Sequence, residues 1–137
     1  MNGDDNINIV AKTPIHPTED REKIELCFQK IFQNPHIEEE RTDEKTDLVF
    51  KSSERNSLSL IREKLRKQRI RNSARKIFLG NMNDKSVDFF LNKQAAFAGR
   101  VHFVKDPEQE DFLGPIMVTI TAENVKEIID WLTLDNF

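Results

Sequence analysis

The 137 residues carry a formal net charge of −3 at pH 7, with 33 per cent charged side chains, one cysteine and no tyrosine. That length fits about one domain, able to bury roughly two thirds of the surface its unfolded chain exposes. A lone cysteine excludes an internal disulfide and suits a reducing compartment, and no run approaches the ~18 apolar residues of a membrane span. The opening MNGDDNINIV lacks the basic region and apolar run of a leader peptide. A soluble, cytoplasmic protein without membrane association is expected.

Residues 7–15, INIVAKTPI, are rich in β-branched side chains and read as a first strand closing at a turn. A helix follows, with Thr18 as its cap and Glu19, Asp20 and Glu22 at the positive end of its dipole. Ile24, Cys27, Phe28, Ile31 and Phe32 share one face, and Asn34-Pro35 stops the helix. Residues 36–41 and 47–52 read as two short strands joined by a polar loop, the first at a sheet edge.

From Ser57 the period is helical, with Leu58, Ile61 and Leu65 on one face, but the next apolar residue is Ile70. Five residues rotate the stripe about 140° past a full turn, so either the helix kinks near Gln68 or a second helix begins there. Ile70, Ala74, Ile77 and Phe78 define the next face, with Gly80 placed to close it in the left-handed conformation.

SVDFFL, 86–91, reads as a strand, and Asn92 and Gly99 bracket either a short helical turn or, by alternation through Ala95 and Phe97, a continued strand. The helical turn is favoured, because Asn caps helix starts and Gly helix ends. Residues 100–104 and 116–120 alternate as two core strands and antiparallel neighbours, separated by the acidic loop PEQEDFLG. A last helix places Val125, Ile128, Ile129 and Leu132 beneath the sheet, and 135–137 fray. The elements add up to one α+β domain, a two-layer sandwich whose mostly antiparallel sheet is covered on one face by helices, with residues 7–134 as its folded core and 1–6 disordered.

Most catalytic chemistries lack support. His16, His36 and His102 are scattered without zinc spacing, and the acids beside His16 already have a capping role. Cys27 sits on an apolar stripe and reads as a packed core thiol rather than a nucleophile. Four isolated glycines exclude a phosphate loop. No cofactor, metal or catalytic residue is expected.

One stretch stands apart. Residues 62–76 contain eight Lys or Arg and one acid, Glu63, so this stretch is +7 while the other 122 residues are −10. Surface helices normally mix charge signs, and like charges at i, i+3 and i+4 repel by about 0.2–0.5 kcal/mol per pair. Docking on acidic protein surface could offset that repulsion; so could a phosphate backbone, which the forked guanidinium of arginine suits. The nucleic-acid reading assigns phosphate contacts to Arg62, Arg66, Lys67, Arg69, Arg71, Arg75 and Lys76. Lys93, Gln94 and Arg100 extend the surface if Asn92 starts a helical turn.

With HPTED (16–20), KQRIRNSAR (67–75), LNKQAAFAGRVHF (91–103), GPIMVTI (114–120) and DWL (130–132) in order, the chain resembles the uncharacterised archaeal protein family 0201 over nearly its whole length. The resemblance implies an RNA-binding prediction, a suggested exosome link, and a fold similar to the ribosomal protein that binds 5S RNA. The family pattern falls on residues 16–20, Gln68 to Arg71, Arg75, Asn92 to Ala96, Phe97 and Gly99. Where members often have Asp-Ala after RIR, this chain has Asn72-Ser73, which removes an acid from the basic stretch. A non-catalytic RNA-binding domain is therefore expected. The alternative is a protein-interaction or self-association module, a homodimer included, whose basic helix docks on acidic surfaces such as HIEEER or PEQED.

Overall fold

The computed structural model describes residues 6–106 and 114–134. Its framework is an antiparallel five-stranded sheet in the order β2-β3-β1-β5-β4, formed by β1 (Asn8–Ile15), β2 (Ile37–Arg41), β3 (Thr46–Ser52), β4 (Ser86–Leu91) and β5 (Ile116–Thr121). Helices α1 (Arg21–Ile31), α2 (Ser59–Lys67), α3 (Arg71–Asn81), α4 (Lys93–Phe97) and α5 (Val125–Thr133) complete an open two-layer α+β sandwich.

Strand periodicity makes this layering possible. Alternate residues point to opposite faces, so Ile9, Ala11 and Thr13 of β1 are buried, as are Ile116, Val118 and Ile120 of β5 and Val87, Phe89 and Leu91 of β4. Pairing Ala11 with both Phe50 and Val118, and Val118 with Phe89, aligns an apolar row across the sheet. Helix residues Phe28, Ile31, Ile61, Leu65, Phe78 and Ile129 join that row in one cluster. Fully burying each such side chain contributes about 1.5–3 kcal/mol. The opposite sheet face presents Lys12, Lys51, Asp88 and Met117.

Most expected elements are present, including the edge position of β2, but the local devices differ. Asp20, not Thr18, caps α1 by accepting from the Glu22 N–H. Gly80 lies inside α3; the left-handed residues among those described are Asn6, Asn34 beyond α1, Arg69, Gly99 and Gly114. Asn92 does cap the short helix α4, accepting from Ala95 N–H at 2.8 Å, so that amide is already satisfied. Residues 100–104 are not a strand beside β5. They run along the outer edge of β4 through Asn92 N–H to His102 O and Val104 N–H to Phe90 O, while β5 lies between β4 and β1. Most of the acidic loop, the terminus expected to fray and nearly all the leading segment fall outside the described residues.

The loop before α1 is fastened to α4 by a buried ion pair. Lys93 Nζ donates to Pro14 O at 2.9 Å and to both Glu19 oxygens at 3.2 and 3.1 Å. Glu19 also accepts the His16 N–H at 2.8 Å. The two side chains are only 6 and 11 per cent exposed, so each charge depends on the other. Replacing Lys93 by Met leaves a carboxylate without its cation and is expected to cost about 3 kcal/mol in chemical denaturation. Adding Glu19→Gln should recover part of that loss, and additive losses would show that the pair is not the mechanism.

Cys27 packs between α1 and α4, its Sγ 3.4 Å from the carbonyl oxygens of Lys23 and Lys93. Burial pushes its pKa up from 9.0 to about 11, against a smaller downward pull from Lys93. A folded-state pKa above the unfolded one means the stabilising contribution is present below pH 9 and is lost as pH rises through about 11. At pH 8 the native thiol should therefore react with iodoacetamide far more slowly than the urea-unfolded chain, measured by mass spectrometry. Equal rates would contradict its burial.

Candidate nucleic-acid interface

The basic stretch folds as two helices with an elbow between them. α2 ends at Lys67, Gln68 follows as its cap, and Arg69 takes a left-handed backbone with φ of 61°. The turn closes with Ile70 N–H on Leu65 O and Arg69 N–H on Arg66 O. The reason lies in the apolar stripe. A straight helix would carry Ile70 and Ala74 off the sheet, whereas the break lets Leu65 and Ala74 both be fully buried.

The same turn locks onto the far motif. Gln68 Nε2 donates to Val101 O at 2.9 Å, and Val101 N–H donates to Gln68 Oε1 at 2.8 Å. Both backbone groups that a strand ladder would have used on Val101 are thus taken by one side-chain amide. Arg100 and Val101 follow Gly99, whose φ of 81° lets the chain turn back after α4. A Cβ there would approach Lys64 Nζ to 3.9 Å, so α2 runs close beside this turn.

The ten residues expected at the surface divide into two groups. Arg62 lies against α5, its Nε donating to Trp131 O at 2.8 Å and its guanidinium 5.1 Å from the indole centroid. Arg75 also reaches α5, bonding Asp130 at 2.8 Å and Thr133 Oγ1 at 3.0 Å. These two arginines fasten α2 and α3 to α5. Lys93 is a correction: its ammonium is buried against Glu19 and cannot extend an outer surface.

Arg66, Lys67, Arg69, Lys76, Gln94 and Arg100 are exposed, while Arg71 is half-buried in the first turn of α3. Arg66 and Lys67 both approach Glu63, at 2.8 and 3.6 Å. The Arg66 hydrogen bond, then its charge and that of Lys67, hold the Glu63 carboxyl below its ordinary pKa. Exposed pairs of this kind are weak and screened by salt, so they leave both cations available to an outside anion. Gln94 stands apart, on the α1–α4 side with Lys23 and Phe97. Arg66, Lys67 and Arg69 thus crowd one elbow, Arg100 adjoins it through the Gln68 clamp, and Lys76 lies farther along α3.

Two contributors escape a reading by charge alone. Lys64 is half-buried beside the Gly99 turn, and Gln68 is the uncharged group that joins the two basic segments. The slipped stripe pointed to Gln68 as the helix break, and the resemblance placed it in the family pattern. Among the described residues no group of three or more His, Cys, Asp or Glu could hold a metal ion. No helix among them is long and apolar enough to cross a membrane.

Comparison with known proteins gives this geometry a context. A family model described as RNA binding matches residues 8–122. A UPF0201 protein of Sulfurisphaera tokodaii is 38% identical over 125 residues, covering 91% of this chain and 86% of its own. One from Methanothermobacter thermautotrophicus is 35% identical over 127 residues, covering 93% and 91%. The crystal structure of a UPF0201 protein from Methanococcus jannaschii superposes with a TM-score of 0.81 at 29% identity, over 95% of each chain. A Sulfolobus solfataricus protein at 19% identity shares the fold, with a TM-score of 0.64 over 92% of this chain and 96% of that one. The basic elbow, the clamp and the sandwich that carries them therefore lie in a chain that belongs to the UPF0201 family, matched over most of its length by an RNA-binding family model.

Proposed function

We propose that this protein acts as one folded unit that binds RNA without catalysis, laying the α2–α3 elbow against the phosphate backbone. The observation that carries the reading is the crowding of exposed Arg66, Lys67 and Arg69 at the α2–α3 turn, with exposed Arg100 next to Val101, which Gln68 ties to that turn, in a chain whose net charge is −3. The family model described as RNA binding supports the choice of polyanion.

Arg66, Arg69 and Arg100 offer planar forks that can donate two bonds to one phosphate, and Lys67 and Lys76 add point charge. Phe97 is the single exposed aromatic among the described residues, and Lys30 sits over its ring at 4.9 Å. A row of stacking rings is therefore missing from the described surface, which favours reading of backbone and shape over base identity. The self-association reading has less support. Glu39 meets Arg21 and Arg41 and Glu40 meets Lys12 within their own chain, though these pairs are as exposed and salt-screened as those at Glu63, so the preference for RNA rests on the family model.

Fluorescence anisotropy against labelled RNA tests the proposal. With about five phosphates engaged, affinity should fall several-hundredfold between about 50 and 200 mM salt. The triple variant Arg66→Gln, Arg69→Gln, Arg100→Gln should stay folded by circular dichroism and lose about three from the logarithmic salt slope. Binding indifferent to salt, or a folded triple variant with undiminished affinity, would falsify this mechanism. Salt-sensitive dimers in light scattering without RNA affinity would favour the protein-partner reading instead.

A further inference from the structure

Between the elbow and the segment it clamps lies an open cleft of about 330 Å³. Its floor is Ile70, Val101 and Phe103, and Ser73 and Arg100 stand at its rim. We infer that this cleft takes one unpaired nucleotide of the bound RNA, base inward, with the flanking phosphates on the cations outside. The inference rests on the RNA-binding reading and names the part of the RNA that the surface selects.

Three observations carry it. The first is size and surface, since the volume lies at the lower end of the ~300–1,000 Å³ usual for small ligand sites. Its floor is apolar because Gln68 occupies both polar backbone groups of Val101, and Phe103 is held edge-on against Phe78 and Phe89 at 5.5 and 5.8 Å. A flat, rigid, apolar floor suits the face of a base. The Ser73 hydroxyl and the Arg100 guanidinium bring hydrogen-bonding groups to the rim, where base edges need partners.

The second observation is charge. Arg100 lines the cleft, and Arg69 lies in the chain between two residues that line it, Gln68 and Ile70; both arginines are exposed and neither has an ion pair among the described residues. Cations flanking an apolar floor fit an occupant that is a base between two phosphates. They fit a free apolar molecule poorly. The third is backbone geometry, since Arg69, left-handed with φ of 61°, ends the helical run between Gln68 and Ile70, which both line the cleft.

A base inside a regular duplex is stacked and cannot enter, whereas a bulged nucleotide is already unstacked. The test compares a fully paired RNA duplex with the same duplex carrying one bulged uridine, at fixed salt, by anisotropy. The bulged duplex should bind about tenfold more tightly, within the range that base stacking on a side chain supplies. Ser73→Trp, filling the cleft from an exposed helix position, should bind both duplexes equally, at the wild-type affinity for the paired one. With 4-thiouridine in the bulge, photo-crosslinks should map to residues 70–73 or 101–103, and this measurement stands even if the Trp variant folds poorly. Equal wild-type affinities, a preference that survives Ser73→Trp, or crosslinks elsewhere would each overturn the cleft assignment while leaving backbone binding intact. Absence of binding to either duplex would overturn the RNA-binding reading itself and the cleft with it.

Discussion

Five residues separate Leu65 from Ile70, and a regular helix cannot keep both on one face. The sheet offers one apolar face to the described helices, so each must aim its stripe the same way. Between Leu65 and Ala74 the chain meets that demand by breaking, with Arg69 in the left-handed region. The break has an electrostatic by-product. The last turn of α2 and the first of α3 converge at one point, and each brings cations that a continuous helix would have spread along its length.

Those cations are poorly placed for helix stability on one side of the break and well placed on the other. Lys64, Arg66 and Lys67 lie in the last turn of α2, where the negative end of the dipole favours them. Arg71 begins α3, where the positive end does not, and no acid stands in that first turn. α5 supplies compensation by packing rather than by capping. Trp131 lies beneath Arg55 and Arg62, at 5.4 and 5.1 Å from its ring, and Asp130 and Thr133 hold Arg75. Part of the basic stretch therefore stabilises the helical layer, and that part faces inward.

This division explains what could be read from residues alone. β-branched and apolar runs located β1, β3 and β4, alternation located β5, and the slipped stripe located the helix break, the last two because burial on one face sets the period. Residues 100–104 alternate as well as any strand, yet they make only an isolated antiparallel bridge to β4, and the backbone groups of Val101 went elsewhere. Val101 gave its N–H and C=O to Gln68, thirty-three residues earlier in the chain. Periodicity reports burial and carries no information about such a partner. Lys93 failed for the same reason: charge counts are blind to Glu19, which lies far away in sequence and in contact in the fold. Thr18 was read as the cap of α1 and Asp20 as a dipole acid, but Asp20 caps the helix while Glu19, between them, turns inward to Lys93.

The acidic majority of the chain gives the elbow its meaning. The residues outside 62–76 carry −10, so at long range the protein repels a polyanion, and at the elbow it attracts one. Within a screening length of about 8 Å at physiological salt, the local charge governs, and beyond it the net charge is largely hidden. A phosphate backbone can therefore be held at the elbow but not wrapped around the body. Contact is confined to a few cations and whatever stands between them. On the proposed reading, charge holds the backbone and selectivity is left to shape at the centre of the footprint, where Gln68 sets the elbow against Val101 after the Gly99 turn.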